Sequence, residues 1–208
     1  GFEPRGVLTA TVPLSGPRYA TDEQRAAFFQ RLTAQLSSLP GVKSASAINH
    51  LPLGGDVWTF GFTVEGRPAQ TDAERPSAVY RVVRPDYFRT MGAALLKGRD
   101  FTERDDASAP AVVVVNEALA RRQWPGEEAL GKRIVVNGEG AQAREVVGVV
   151  RDLKQGEWAS EPKPEMYLPH AQAASPRSMT LVLRASSDSS ELAPEVRREV
   201  WALDKDLP

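Results

Sequence analysis

The 208-residue chain is long enough for one large domain or two small domains with a buried core. Hydrophobic residues make up 41% of it, charged residues 25%, and the formal net charge is -1, so the basic excess typical of a nucleic-acid binder is missing. The absence of cysteine excludes disulfides, thiolate metal sites and cysteine nucleophiles, and it suits an oxidising compartment such as a bacterial periplasm.

The first 50 residues predict a β-α-β unit. Residues 6–12 are apolar and rich in threonine, which indicates a strand that ends at Pro13. Thr21 and Gln24 fit a capping box, and apolar side chains recur at helical spacing up to residue 39, so residues 21–39 are predicted to be an amphipathic helix. Residues 42–49 alternate between apolar and polar side chains, as a second strand does.

The middle of the chain, residues 51–175, is predicted to be rich in strands. Its 125 residues hold many of the sixteen glycines and sixteen prolines, which favour turns. The predicted strands cover residues 58–64, 79–83, 112–115, 134–136 and 145–150. Two short helices are predicted at residues 86–91 and 117–124, the second capped by Asn116. This part is interpreted as a lobe inserted between the two ends of the chain.

The C-terminal residues 176–208 repeat the first half of the N-terminal plan. Residues 179–184 predict a strand, residues 186–190 a polar loop that supplies a helix N-cap, and Leu192, Val196, Val200 and Leu203 mark a helix. The predicted fold class is therefore α+β, with two β-α-β units arranged as in split ferredoxin-like folds. The second unit is truncated because its last strand is missing, which leaves an open strand edge.

Candidate chemical groups are few, and none forms a known constellation. His50 and His170 are far apart in the sequence and lack partners at metal-ligand spacing, so they are interpreted as loop or surface histidines. The densest carboxylate cluster lacks the glycine and the final glutamate of a calcium loop; it is interpreted as a solvated loop in which some acids cap backbone amides. Its members are Asp100, Glu103, Asp105 and Asp106.

Other motif matches have ordinary explanations. The glycines at residues 138 and 140 predict a hairpin turn rather than a phosphate cradle, because a strand follows them. Ser160 and Lys163 match S-x-x-K by chance in a proline-rich loop. Trp124 is predicted to anchor the end of its helix and Trp201 to flank the core stripe of the last helix, whereas Trp58 and Trp158 are predicted to be core residues, with exposure for a partner as the alternative. The sequence thus predicts no catalytic, cofactor-binding or metal-binding residues, no cofactor and no enzyme.

Seven segments in fixed order resemble one family. They are GRDF (98–101), TERDD (102–106), VVVNE (113–117), WPGE (124–127), GK (131–132), VVGVVRD (146–152) and PEMYLP (164–169). Each is weak alone, but their order makes the combination specific. Together with FEP (2–4) and PDYF (85–88), they resemble the periplasmic core domain of MacB-like, FtsX-type ABC permeases of the duplicated-permease branch.

The resemblance implies a porter-like lobe, built from the β-α-β units at 1–50 and 176–208, and an inserted sabre-like lobe at 51–175. It implies a periplasmic domain of an inner-membrane efflux or export permease, whose cytoplasmic ATPase is a separate subunit or domain. A second permease half or protomer is an expected partner, and MacB pumps also use a periplasmic adaptor and an outer-membrane channel. The longest apolar run, at residues 111–115, is far below the roughly 20 residues that span a bilayer, so the spans are expected outside this chain.

The leading hypothesis is a domain that transmits conformational change. One alternative is a module that binds a lipid, peptide or drug, for which a large apolar groove between the lobes would be evidence. The other alternative is an enzyme, which would require Asp100, Asp105, His50 or His170 to converge in one pocket with perturbed pKa values.

Overall fold

A mixed α+β fold is present in the computed structural model, which describes residues 6–52, 54, 57–67, 75–140, 142–153, 161–186 and 189–207. The strands in these ranges are β1 (Val7–Pro13), β2 (Val42–Ile48), β3 (Thr59–Val64), β4 (Ser77–Val83), β5 (Leu95–Gly98), β6 (Val112–Asn116), β7 (Arg133–Val136), β8 (Ala143–Val150), β9 (Glu165–Pro169) and β10 (Ser178–Ala185). The helices are α1 (Asp22–Ser37), α2 (Tyr87–Met91), α3 (Glu117–Gln123) and α4 (Ala193–Leu203). Short 3-10 turns lie at Pro17–Tyr19, His170–Gln172 and Ser189–Leu192.

The two ends of the chain build a three-stranded antiparallel sheet in the order β1-β10-β2. One face of this sheet is covered by α1 and α4, and the apolar side chains between them form a buried core. Phe28, Phe29 and Leu32 of α1 are fully buried there because they recur on one face of the helix. The capping box predicted for α1 is confirmed, since the Thr21 and Gln24 side chains bond each other's backbone amides.

The middle of the chain builds a closed ring of six strands. Pairing runs β4-β3-β7-β8-β6-β9 and returns to β4 through a parallel ladder between β4 and β9. Side chains from all six strands, together with Leu119 and Trp124 at the end of the ring, fill its interior. We call this ring the barrel. Closure leaves its six strands without a free edge along the ladder, which is how barrels avoid edge-to-edge association.

Most predicted elements are confirmed within one or two residues. Two strands were missed: β5 is only four residues long and exposed, and β9 lies between prolines and begins with a charged residue. The prediction that the polar loop supplies the N-cap of α4 is wrong. A 3-10 turn comes before α4, and its N-cap position is Leu192, which makes no side-chain cap bond. In the described ranges, no helix has the length and apolar character needed to span a bilayer.

The contact between β5 and β8 depends on two glycines. Gly98 has a φ of 72°, in the left-handed region, and a Cβ there would lie closer to the Val147 carbonyl oxygen than real Cβ atoms come. Gly148 faces it in the register, and a Cβ on Gly148 would clash with the Arg99 carbonyl oxygen. The backbones of the GRDF and VVGVVRD segments therefore pack closely at Gly98 and Gly148, because neither residue has a side chain.

Substitution of Gly98 tests this close approach. Gly126→Ala is the matched control, because Gly126 has a φ of 76° but open space around it. We expect Gly126→Ala to lower the free energy of unfolding by about 1–2 kcal/mol through backbone strain alone. Gly98→Ala should cost about 1–3 kcal/mol more, because it also overpacks the strand contact. Equal losses in urea denaturation would show that β5 and β8 do not approach so closely.

Candidate functional site at the junction of sheet and barrel

Strand β4 belongs to both parts of the fold. In the barrel it pairs with β3 along one edge and with β9 along the other, and its last residue, Val83, also pairs with Ile48 at the end of β2. Asn49 reinforces this crossing, since its backbone amide donates to the Val82 carbonyl and its side-chain Oδ1 accepts from the Val82 amide, both at 3.0 Å. The Arg84 amide donates to the Ala47 carbonyl at 2.9 Å. The sheet and the barrel are thus joined by continuous backbone hydrogen bonding.

Helix α2 fills the angle between the sheet and the barrel. Its Tyr87, Phe88 and Met91 side chains are buried in one apolar cluster with residues of the sheet, such as Val182, and of the outer barrel wall, such as Tyr167. Polar bonds fix the helix to the sheet: Thr90 Oγ1 donates to Ser44 Oγ at 2.9 Å, and Arg184 Nε donates to the Thr90 carbonyl at 2.8 Å. Movement of the barrel against the sheet would therefore have to break a packed core.

A buried ion pair lies where β4 and β9 close the barrel. Arg81 Nη2 is 3.5 Å from Glu165 Oε1, and both side chains are about 1% exposed. The Tyr167 hydroxyl donates to Glu165 Oε2 at 2.6 Å, and Arg81 Nη1 donates to the His50 carbonyl at 2.6 Å. Desolvation raises the pKa of Glu165, although the Tyr167 hydroxyl and the Arg81 charge oppose that shift. The pair lies at the barrel seam, which is the ladder between β4 and β9. It also connects this seam with the sheet, because Arg81 bonds to His50, two residues after the end of β2.

Removal of Arg81 should destabilise the fold, because it leaves the buried Glu165 carboxylate without its ion-pair partner. We expect Arg81→Met to lower the free energy of unfolding by about 3–5 kcal/mol, because Glu165 is left in a buried site without its cation. The double variant Arg81→Met/Glu165→Gln should recover part of that loss. Arg198→Ala, which breaks an exposed pair with Glu195 on α4, should cost less than about 1 kcal/mol. An Arg81→Met variant as stable as Arg198→Ala would contradict the assignment.

His170 lies behind the junction, against α1. Its Nε2 is 2.7 Å from Ser175 Oγ, and its ring meets Phe29 edge-on with centroids 5.6 Å apart. The imidazole is 1% exposed, and the charged side chains that act on it are Arg84 and Arg25. Burial and these two cations lower the pKa of His170 from 6.5 to about 3. The prediction of a loop or surface histidine is therefore right about the loop and wrong about exposure.

The pH dependence of stability should report on His170. Because its folded-state pKa is depressed, the unfolded chain binds more protons between pH 6.5 and about 3. The His170 contribution to stability is thus complete above pH 6.5 and is lost as the pH falls, by up to about 1.4 kcal/mol per pH unit. Asp100 acts in the opposite sense, since desolvation raises its pKa to about 6 and its contribution declines as the pH rises.

Urea denaturation at several pH values between 4 and 7.5 separates the two groups. Relative to the unsubstituted chain, His170→Gln should lose less stability on acidification, because the titrating imidazole is gone. Asp100→Asn should lose more, because the opposing carboxyl is gone. Parallel pH profiles for the unsubstituted chain and His170→Gln would contradict the buried neutral imidazole.

The carboxylates of the predicted loop are held by separate partners. Asp105 accepts two bonds from the Arg99 guanidinium, at 2.8 and 2.7 Å, and one from the Thr102 amide. Asp100 and Asp106 accept from the amides of the residues that follow them, so the predicted capping of backbone amides is confirmed. Glu103 contacts the Arg84 guanidinium and accepts from Gln30 of α1 at 3.1 Å, which adds a polar link to the junction.

The other predicted groups have structural surroundings. The His50 ring lies 4.6 Å from the Trp58 ring at an interplanar angle of 58°. Trp58 is 46% exposed, so its prediction as a core residue is wrong. Trp201 is 49% exposed, which agrees with a position beside the core stripe of α4. Trp124 is buried as predicted. Trp158 and Ser160 lie outside the described residues. In the part of the chain that the structure describes, no group of three or more metal-ligating side chains is placed to hold an ion.

Sequence patterns alone missed the ion pair at the barrel seam. Arg81 interrupts the apolar run of β4, and Glu165 opens β9. The sequence signal for such a pair is a charged residue within a strand whose other residues are apolar on both faces. A charge in that position is buried, and a buried charge needs a partner. Its partner could not be found the same way, since it lies more than 80 residues away in the chain.

Comparisons with known proteins agree on one family. The family model described as "MacB-like periplasmic core domain" matches residues 6–199. The uncharacterized ABC transporter permease YvrN of Bacillus subtilis (strain 168) is 37% identical over 87 residues, which are 40% of this chain and 20% of that protein. The chain thus matches a fifth of the length of this relative.

Solved structures share the fold over nearly the whole chain. The periplasmic region of MacB from Actinobacillus actinomycetemcomitans has a TM-score of 0.62 at 17% identity, covering 98% of this chain and 87% of that one. The extracellular domain of the noncanonic ABC-type transporter YknZ from Gram-positive bacteria has a TM-score of 0.57 at 18% identity, with coverages of 96% and 94%. A permease domain from Porphyromonas gingivalis has a TM-score of 0.56 at 18% identity, with coverages of 100% and 90%.

Proposed function

Because this chain belongs to the MacB-like periplasmic core domain family, we propose that it transmits ATP-driven conformational change on the extracytoplasmic side of an ABC transporter permease. The proposal is a non-catalytic role, in which ATP is hydrolysed by a separate cytoplasmic subunit or domain. It requires two partners, that ATPase and a second permease half or protomer. A periplasmic adaptor and an outer-membrane channel are compatible with it but not required by it.

The packed junction is the observation that carries this proposal. A domain that transmits motion must move as one body, since a loose joint would absorb the displacement. Strand β4 continues the backbone bonding from sheet to barrel, and α2 is buried against both. The proposal assigns residues 1–50 and 176–208 to a porter-like lobe and 51–175 to a sabre-like lobe. The pairing of β1, β10 and β2 supports the first, and the barrel supports the second.

The binding-module alternative has a different requirement. It needs a large apolar groove between the two lobes. Among the described residues, the space between sheet and barrel is filled by the apolar cluster around α2. A cleft of about 340 Å³ does lie beside it, but hydroxyl and amide side chains such as Thr11, Asn49 and Thr180 form much of its lining. The junction therefore favours transmission over capture of an apolar ligand.

Spin-label distances in the full-length permease test the proposal. The absence of cysteine in this domain allows labels at Glu65→Cys near the barrel end of β3 and Ala202→Cys on α4. We expect the distance between the two labels of one domain to stay constant between the nucleotide-free and ATP-trapped states. The distance between single labels on paired domains should change. No change between the domains would refute transmission.

A packing variant links the motion to the junction. Phe88→Ala opens a cavity in the cluster around α2, whereas Phe28→Ala opens one beneath α1, away from the junction. Each is expected to cost about 3–5 kcal/mol of stability. If both proteins remain folded, Phe88→Ala should broaden the distance between the Glu65→Cys and Ala202→Cys labels and weaken the ATP-driven change. Phe28→Ala should leave both intact.

A further inference from the structure

Strand β5 presents an apolar edge with no strand beside it in the described part of the chain. Among the described strands it pairs with β8 alone, and all four of its residues are exposed. Leu95 and Leu96 are 39% and 38% exposed, and they are consecutive. Folded proteins usually blunt or cover such an edge, because its free backbone groups and apolar side chains favour pairing with another strand.

An apolar groove of about 480 Å³ lies directly beside this edge. Its apolar lining comes from Leu96, Ala120, Trp124, Pro125, Ala129 and Val149. We call the two features together, Leu95 and Leu96 with this groove, the β5 surface. Projecting leucines next to a groove of this kind make a surface that fits its own copy, because a two-fold axis places each projection opposite the other groove.

The charges around the β5 surface are also self-complementary. Lys97 Nζ is 2.9 Å from Glu128 Oε2, and Lys132 Nζ is 2.6 Å from Glu127 Oε2, so both signs occur side by side. A two-fold arrangement can exchange these partners between copies without bringing like charges together. A strongly basic or acidic partner would instead meet a matching repulsive charge on the rim.

We propose that the β5 surface is where a second copy of this domain docks, with the two β5 edges in antiparallel contact about a two-fold axis. The inference rests on the proposed function with a second protomer as the partner, so that two identical domains stand side by side in one permease. It adds the surface through which they meet. Because β5 has only four residues, the contact is short and suits a transient state, since a permanent interface usually buries more surface.

Cysteine cross-linking in the membrane-embedded full-length permease tests the docking surface. Leu95→Cys, Leu96→Cys and Lys97→Cys are made singly and treated with a short bifunctional maleimide. Thr9→Cys, on the exposed edge strand β1, and Ala202→Cys, on α4, are the matched controls, and the unsubstituted permease controls for cysteines elsewhere. We expect at least one β5 position to form cross-linked dimer at least tenfold more than either control.

Two outcomes overturn the proposal: no cross-linking at any β5 position, or equal cross-linking at β1 or α4. Leu96→Glu gives an independent readout, because a carboxylate in the groove should abolish cross-linking at Lys97→Cys while leaving urea stability nearly unchanged. The spin-label experiment keeps the two proposals apart. A nucleotide-dependent distance change without β5 cross-linking would support transmission and refute the docking surface. Cross-linking without a distance change would support the docking surface and refute transmission.

Discussion

Strand β4 is the element on which the rest of this fold depends, because its hydrogen bonds serve two structures at once. Residues 79–83 of β4 close the barrel through the parallel ladder with β9, and Val83 also continues the three-stranded sheet through Ile48. Parallel closure places Arg81 and Glu165 on neighbouring strands, where both side chains are buried and 3.5 Å apart. A slip of either strand by one residue would turn its charge into the apolar barrel interior and separate it from its partner, so this pair favours a single register.

The junction combines apolar packing with polar bonds of specified geometry. The apolar cluster around α2 stabilises the junction through the hydrophobic effect, which is not directional. The hydrogen bonds of Thr90, Arg184 and Asn49 are directional, and each fixes the position of the helix or of a strand. Buried apolar surfaces by themselves tolerate sliding, and buried polar groups do not, because each displaced bond leaves an unsatisfied donor or acceptor. The arrangement of α2 is therefore stiff against small displacements.

Secondary structure could be predicted from the sequence better than strand order. Periodicity and caps placed α1, because Thr21, Gln24 and the recurring phenylalanines and leucines all act within one helix. The β7–β8 hairpin followed from its glycines for the same local reason. Strand order did not follow, because the position of β10 between β1 and β2 depends on contacts between the two ends of the chain.

The site illustrates the same limit. The burial of His170 results from α1 packing over a distant loop. The left-handed backbone of Asp86 before α2 suits an aspartate, but Asp86 is one of many aspartates in the chain and its residue type alone did not single it out. Arg81 carried a detectable signal, as a charge within an apolar strand, but its pairing with Glu165 required the barrel to be closed.

The position of β10 has a consequence for how the protein is made. Strands β1 and β2 are not neighbours, so the first 50 residues cannot form a sheet when they leave the ribosome or the export machinery. Val7 pairs with Arg184, and Val79 with Glu165, so strand partners lie far apart in the sequence. The domain therefore has a high contact order, which predicts slow folding. Until β10 has been synthesised, the apolar face of α1 lacks the sheet that covers it in the folded domain. Chaperone protection of the nascent chain is therefore most valuable before residue 185 has appeared.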